Sequence, residues 1–269
     1  PRSGKITLEP LMIRTLIRLC LAALLAMPLL AGGRPLRIAA ASDLKWALEE
    51  VRRAFEVKHP EITCTLTFGA SGALFAQASQ QAPFDLFLSA DLGYPDQLVA
   101  RGLAHPEGRF TYALGHLVVW VPSGSAIPVE ATGLRAVLHP SVRRIALANP
   151  KVAPYGRAAE AALRGAGLLA EVQSRLVFGE NLAQAAQFVQ SGQAEVGLIS
   201  RSLATSPAMA AQGRFAAVPE GLHPPLEQGG VILAWARDRA AAQAFRDYLL
   251  GPEGSAILAR FGCAKPGAR

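Results

Sequence analysis

Cysteine is scarce in this sequence, with 3 in 269 residues, and that scarcity excludes a small scaffold stapled by disulfides. Cys20 falls in an N-terminal apolar stretch, which leaves Cys64 and Cys263 with no metal-ligand spacing between them. The five histidines, His59, His105, His116, His139 and His223, are dispersed, so no direct metal ligands are expected. Charged residues make up 17% and aromatics 7%; no basic stripe is interleaved with aromatics, and no nucleic-acid partner is expected. Long hydrophobic runs are missing too. The run over 19–30 is about a dozen residues, short of the roughly 20 needed to cross a bilayer.

That run has another reading. It follows Met12-Ile13-Arg14-Thr15-Leu16-Ile17-Arg18 and ends in Ala31-Gly32-Gly33. A basic start, a short apolar segment and small residues at its end make a secretory signal peptide. Residues 1–33 are therefore assigned to an N-terminal extension and signal peptide, and the mature chain is expected to be soluble and periplasmic. Losing Arg2, Lys5, Arg14, Arg18 and Glu9 with the leader lowers the formal net charge from +7 to +4.

What remains is rich in hydrophobic residues, 51% of the whole chain, and alternates strand and helix patterns. Residues 36–41 read as a buried strand, and Leu44, Leu48, Val51 and Phe55 follow helical spacing. Strands are expected at 62–68, 85–88, 117–121, 144–148, 175–178, 196–199 and 230–236, with a helical tail over 241–250 and 255–261. Such alternation predicts mainly parallel sheets flanked by helices. Two apolar strands, near 117–121 and 230–236, bracket the second half. The expected fold is α/β with two lobes joined by two chain crossings: 34–116 plus 230–269 as lobe one and 117–229 as lobe two.

Four strand-to-helix junctions carry the candidate chemistry: Ala41-Ser42-Asp43, Ala70-Ser71-Gly72, Pro154-Tyr155-Gly156 and Glu180-Asn181-Leu182. A helix start presents unpaired backbone N–H groups and a partial positive charge. Several starts facing one cleft bind an anion without lysine or arginine. Taken singly, a serine at such a position is an ordinary cap of its own helix. The functional reading needs the junctions to converge.

The same residues resemble the periplasmic molybdate-binding proteins of ABC-type importers. The resemblance runs through Ala39-Ala40-Ala41-Ser42, Phe68-Gly69-Ala70-Ser71-Gly72, Ala82-Pro83-Phe84-Asp85-Leu86-Phe87-Leu88-Ser89-Ala90-Asp91 and Arg109-Phe110-Thr111-Tyr112-Ala113-Leu114-Gly115. In the second half it continues through Asn149-Pro150-Lys151-Val152-Ala153-Pro154-Tyr155-Gly156 and Gly179-Glu180-Asn181-Leu182-Ala183-Gln184. It implies a two-lobed periplasmic binding protein fold, molybdate or tungstate as ligand, a membrane permease as partner, a monomer, and no cofactor or enzymatic activity. It also implies that Ser42 and Ser71 give hydroxyls while Tyr155 and Leu182 give backbone N–H groups. Some members add a tyrosine hydroxyl where this chain has Ser200, a shorter and weaker candidate; either Tyr155 or a water supplies that contact, or the site has one donor fewer.

Alternatives are a binding protein for sulfate or another tetrahedral oxyanion, and an exported serine hydrolase. The hydrolase is disfavoured because Ser71 has Gly69 before it but Ala73 after it, which breaks the Gly-x-Ser-x-Gly elbow. A ligand-sensing half of a transcription factor is disfavoured by the signal peptide.

Overall fold

A computed structural model describes residues 35–267. The signal-peptide assignment lies outside the described residues. The first sheet is built from β1 (Leu36–Ala41), β2 (Cys64–Gly69), β3 (Leu86–Ser89), β4 (Ala104–Gly115) and a late strand, Leu226–Leu233. The second is built from β5 (Leu117–Pro122), β6 (Ile145–Ala148), β7 (Leu176–Gly179), β8 (Val196–Ser200) and β9 (Gly213–Ala217). The late strand is β10, and the two spatial orders are β2-β1-β3-β10-β4 and β7-β6-β8-β5-β9.

Each sheet has one reversed strand in the fourth place. β10 runs antiparallel to β3 and β4, and β5 runs antiparallel to β8 and β9. These two are the strands that enter a sheet straight after the chain has crossed from the other one. β1–β2, β1–β3, β6–β7 and β6–β8 are parallel. The observed architecture is therefore α/β with two mixed sheets, each mainly parallel, as the alternating pattern predicts.

The principal helices are α1 (Lys45–Lys58), α2 (Ser71–Ser79), α3 (Gly93–Ala100), α4 (Pro154–Gly165), α5 (Leu182–Gln190), α6 (Arg239–Leu250) and α7 (Pro252–Arg260). Burial follows the 3.6-residue period. On α1 it takes in Ala47, Leu48, Val51 and Phe55, and Phe55 meets Phe245 of α6 edge-on at 5.0 Å. Each large apolar side chain buried this way contributes about 1.5–3 kcal/mol. Around the second sheet, Trp120, Leu147 and Leu163 are buried in one cluster. No described helix is long and apolar enough to cross a membrane.

One expected boundary is corrected, and two strands appear that the pattern did not predict. β10 begins at Leu226, not 230, because Glu227, Gln228 and two glycines hide its first half from a hydrophobic pattern. β4 is twelve residues long, although its start, His105-Pro106-Glu107, is exposed and reads as a loop. β9, half-buried at the sheet edge, carries too little periodicity to be recognised. Cys64 and Cys263 are both free.

Candidate functional site

The structure brings the four junctions together. β1 ends at Ala41 and passes into a single 3-10 turn, Ser42–Leu44, before α1 begins. Ser42 is buried, and its side chain does not cap its own helix. Its Oγ instead accepts from the backbone N–H of Leu182 at 3.1 Å and of Ala183 at 3.3 Å. A lobe-one hydroxyl thus sits on the N-terminus of a lobe-two helix, 140 positions along the chain. That end of α5 also carries its own cap. Asn181 Oδ1 accepts from the Gln184 N–H at 3.1 Å, and Gln184 Oε1 reaches back to the Glu180 N–H at 2.6 Å.

Ser71 is the first residue of α2 and also makes no cap for its own helix. Its Oγ accepts from the Ala90 N–H at 3.1 Å, which ties the end of β2 to the end of β3. The next residue bridges the lobes through its backbone, Gly72 N–H to Val152 C=O at 2.8 Å. Only glycine fits there, because a Cβ would lie 2.7 Å from Tyr94 Oη and 2.8 Å from the Val152 oxygen. Val152 stands three positions before Tyr155, so the Ser71 junction abuts the Tyr155 junction.

Pro154 opens α4 at its first position, where its missing N–H costs nothing. The N–H groups that follow lie in the first turn and have no intrahelical acceptor four residues back. Tyr155 is buried, and its hydroxyl points into lobe one, accepting from Gln228 Nε2 at 3.1 Å. The same Nε2 donates to Asp43 Oδ2 at 2.6 Å. The Tyr155 hydroxyl is thereby engaged with Gln228. Ser200 is fully buried and caps a short helical turn, Arg201–Ala204, accepting from the Leu203 N–H at 3.2 Å. It also pairs with Ser202 Oγ at 2.9 Å, and Ser202 donates to the Asp43 carbonyl at 2.8 Å.

Small apolar residues close the space between these groups: Ala41, Ala70 and Ala90 share one buried cluster with Tyr155 and Leu182. Towards solvent, the Arg157 guanidinium of α4 pairs with the Asp91 carboxylate and donates to Tyr94 Oη at 3.1 Å. Asp43 is the one buried carboxyl next to the serine pair. Burial pushes its pKa up from 3.8 to about 6, against the opposing pull of the Gln228 amide and its own backbone N–H. Burial also drives the Tyr155 and Tyr112 phenols well above 10. Gln228 and Arg157, and the tie that Asp43 makes to Gln228, carry no signal that sequence reading detects. Each owes its place to a partner 63 to 185 positions away.

Hydroxyls and helix starts from the two sheets thus meet at one buried seam. The family model for bacterial extracellular solute-binding proteins matches residues 36–264. The chain belongs to this family. The solute-binding protein is 36% identical to the molybdate-binding protein of Rhodobacter capsulatus, over 88% of this chain and 90% of that one. It is also 36% identical to the molybdate-binding protein of Azotobacter vinelandii, over 86% and 90%. The solved structure of the Azotobacter vinelandii periplasmic molybdate-binding protein superposes with a TM-score of 0.80 at 30% identity, covering 86% of this chain and 99% of that one. Membership in this family makes the protein a binding protein and not an enzyme. Among the described residues no group of three or more His, Cys, Asp and Glu could hold a metal ion.

Proposed function

We propose that this protein captures molybdate or tungstate between its two lobes in the periplasm and delivers it to the membrane permease of an ABC importer. The observation that supports the reading is the meeting of Ser42 Oγ with the Leu182 and Ala183 N–H groups, a serine from the first sheet against a helix start from the second. Ser42 and Ser71 supply hydroxyls; Tyr155 and Leu182 supply backbone N–H groups. Ser200 supports the Asp43 turn through Ser202 and is the weakest candidate for direct contact. The metal enters as its oxyanion, with no protein side chain on the metal itself and no cofactor. The protein acts as a monomer, with lobe one over 34–116 plus the chain from β10 onward and lobe two between.

The chemistry suits the ligand. A fully deprotonated dianion only accepts hydrogen bonds, so a wall of donors fits it, whereas a protonated phosphate oxygen would face a donor with another donor. Sulfate is also an acceptor-only dianion but smaller, and a rigid wall leaves its bonds long. Calorimetric titration of the mature protein with molybdate, tungstate, sulfate and phosphate tests the proposal. At a thousandfold excess over the dissociation constant, molybdate should stabilise the fold by about 4 kcal/mol. Phosphate or sulfate bound as tightly as molybdate would overturn it.

A further inference from the structure

Gln228 is an expensive residue to keep where it is. It lies on β10, the fourth strand of the first sheet, with no exposure at all. A leucine or methionine would fill such a place with no polar group to satisfy. The amide is only half satisfied: Nε2 donates to Asp43 Oδ2 and Tyr155 Oη, while Oε1 is buried and unpartnered. A buried polar atom without a partner needs a reason beyond packing.

Two further features are arranged around this contact. Opposite Gln228 the β4–β10 ladder slips: Gln228 faces Ala113 while Gly229 faces Thr111, so Tyr112 is an extra residue on β4. Bulges of this kind re-aim side chains. Next along β4, Gly115 leaves the gap through which the contact passes. A Cβ there would stand 2.1 Å from Tyr155 Oη and 2.7 Å from Gln228 Nε2. Strand register, a missing side chain and a buried amide all serve one bond between lobe one and Tyr155 of lobe two.

We propose that Gln228 is a positioning residue for oxyanion capture: by holding the Tyr155 hydroxyl in lobe one, it sets where the Tyr155 backbone N–H is presented at the start of α4. This rests on the functional reading above. Tyr155 is then a two-ended strut, its N–H offered to the oxyanion and its hydroxyl anchored across the seam. Opening the lobes breaks the Gln228–Tyr155 bond, so the bond belongs to the closed form and strengthens retention more than encounter. Because Nε2 also holds Asp43, the neighbour of Ser42, one amide positions a donor on each lobe.

The test is a double-mutant cycle on the full mature protein with molybdate as probe, using Gln228→Leu, Tyr155→Phe and the pair. Affinity is read by calorimetry and dissociation by displacement with excess tungstate. Each single variant should bind about tenfold more weakly, the equivalent of one lost hydrogen bond, mostly through faster dissociation. The double variant should be no weaker than the worse single one, and the ligand-free melting temperatures should not fall in step with affinity. Unchanged affinity in Tyr155→Phe, or losses that multiply in the pair, would overturn the inference. Should Gln228→Leu fail to fold, Tyr155→Phe decides it alone, since that change removes only the hydroxyl. A wild-type protein that binds molybdate while the variants match it sinks this inference alone; a wild-type protein with no response to molybdate sinks the functional reading and this one with it.

Discussion

Replacing Asp43 with asparagine should make the protein more stable at neutral pH, and the gain should vanish in acid. Asp43 is 2% exposed, and its pKa in the folded protein is about 6 against 3.8 for the free side chain. An acid whose pKa is raised by folding binds its proton more tightly when folded than when unfolded. Its contribution to stability is most favourable below about pH 4, declines as pH rises towards 6, and is fully lost above that. Keeping this buried carboxyl ionised above pH 6 costs the folded protein about 3 kcal/mol relative to the unfolded chain. Asparagine keeps an oxygen that can accept from Gln228 Nε2 and has no charge to desolvate. For a domain of this size the relief should raise the melting temperature by about 6 to 12 °C at pH 7.5. Urea unfolding of wild type and Asp43→Asn from pH 4 to pH 8 gives the assay. The stability gap should open between pH 4 and pH 6 and then stay level. A gap that does not change with pH, or a variant less stable than wild type at pH 7.5, would refute the reasoning.

Ser42→Ala and Ser71→Ala should each weaken molybdate binding by roughly 1.5–3 kcal/mol, the cost of one hydrogen bond to a charged group, and calorimetry reads this directly. Full affinity in both would move the site elsewhere. Gly72→Ala should prop the lobes apart, since its Cβ meets Tyr94 Oη and the Val152 carbonyl; small-angle scattering in saturating molybdate should show a larger radius of gyration than wild type. An identical scattering profile with intact affinity would contradict the wedge. Asn181→Ala removes the cap of α5 and should cost about 1 kcal/mol in chemical denaturation; no loss would mean that Ser42 alone secures that helix end.

The alternation of short apolar strands with amphipathic helices was readable from residues 36–55 onward, because each element reports its own burial through period 2 or period 3.6. The junctions at Ser42, Ser71, Tyr155 and Leu182 were readable for a related reason: glycine, proline and serine mark strand-to-helix turns within a few residues. The start of β10 was not, because Glu227 is exposed and Gln228 looks solvated until one knows that the strand lies between β3 and β4. Nor could any local pattern tell whether Ser42 caps its own helix or another. Its partner, Leu182, is chosen by the way two separately patterned lobes meet. The same holds for Asp43, Gln228 and Tyr155, which lie far apart in the chain and share one buried amide. Periodicity says which face of an element is buried; the identity of a hydrogen-bond partner across a seam depends on where both sheets end in space, and only the tertiary structure decides that.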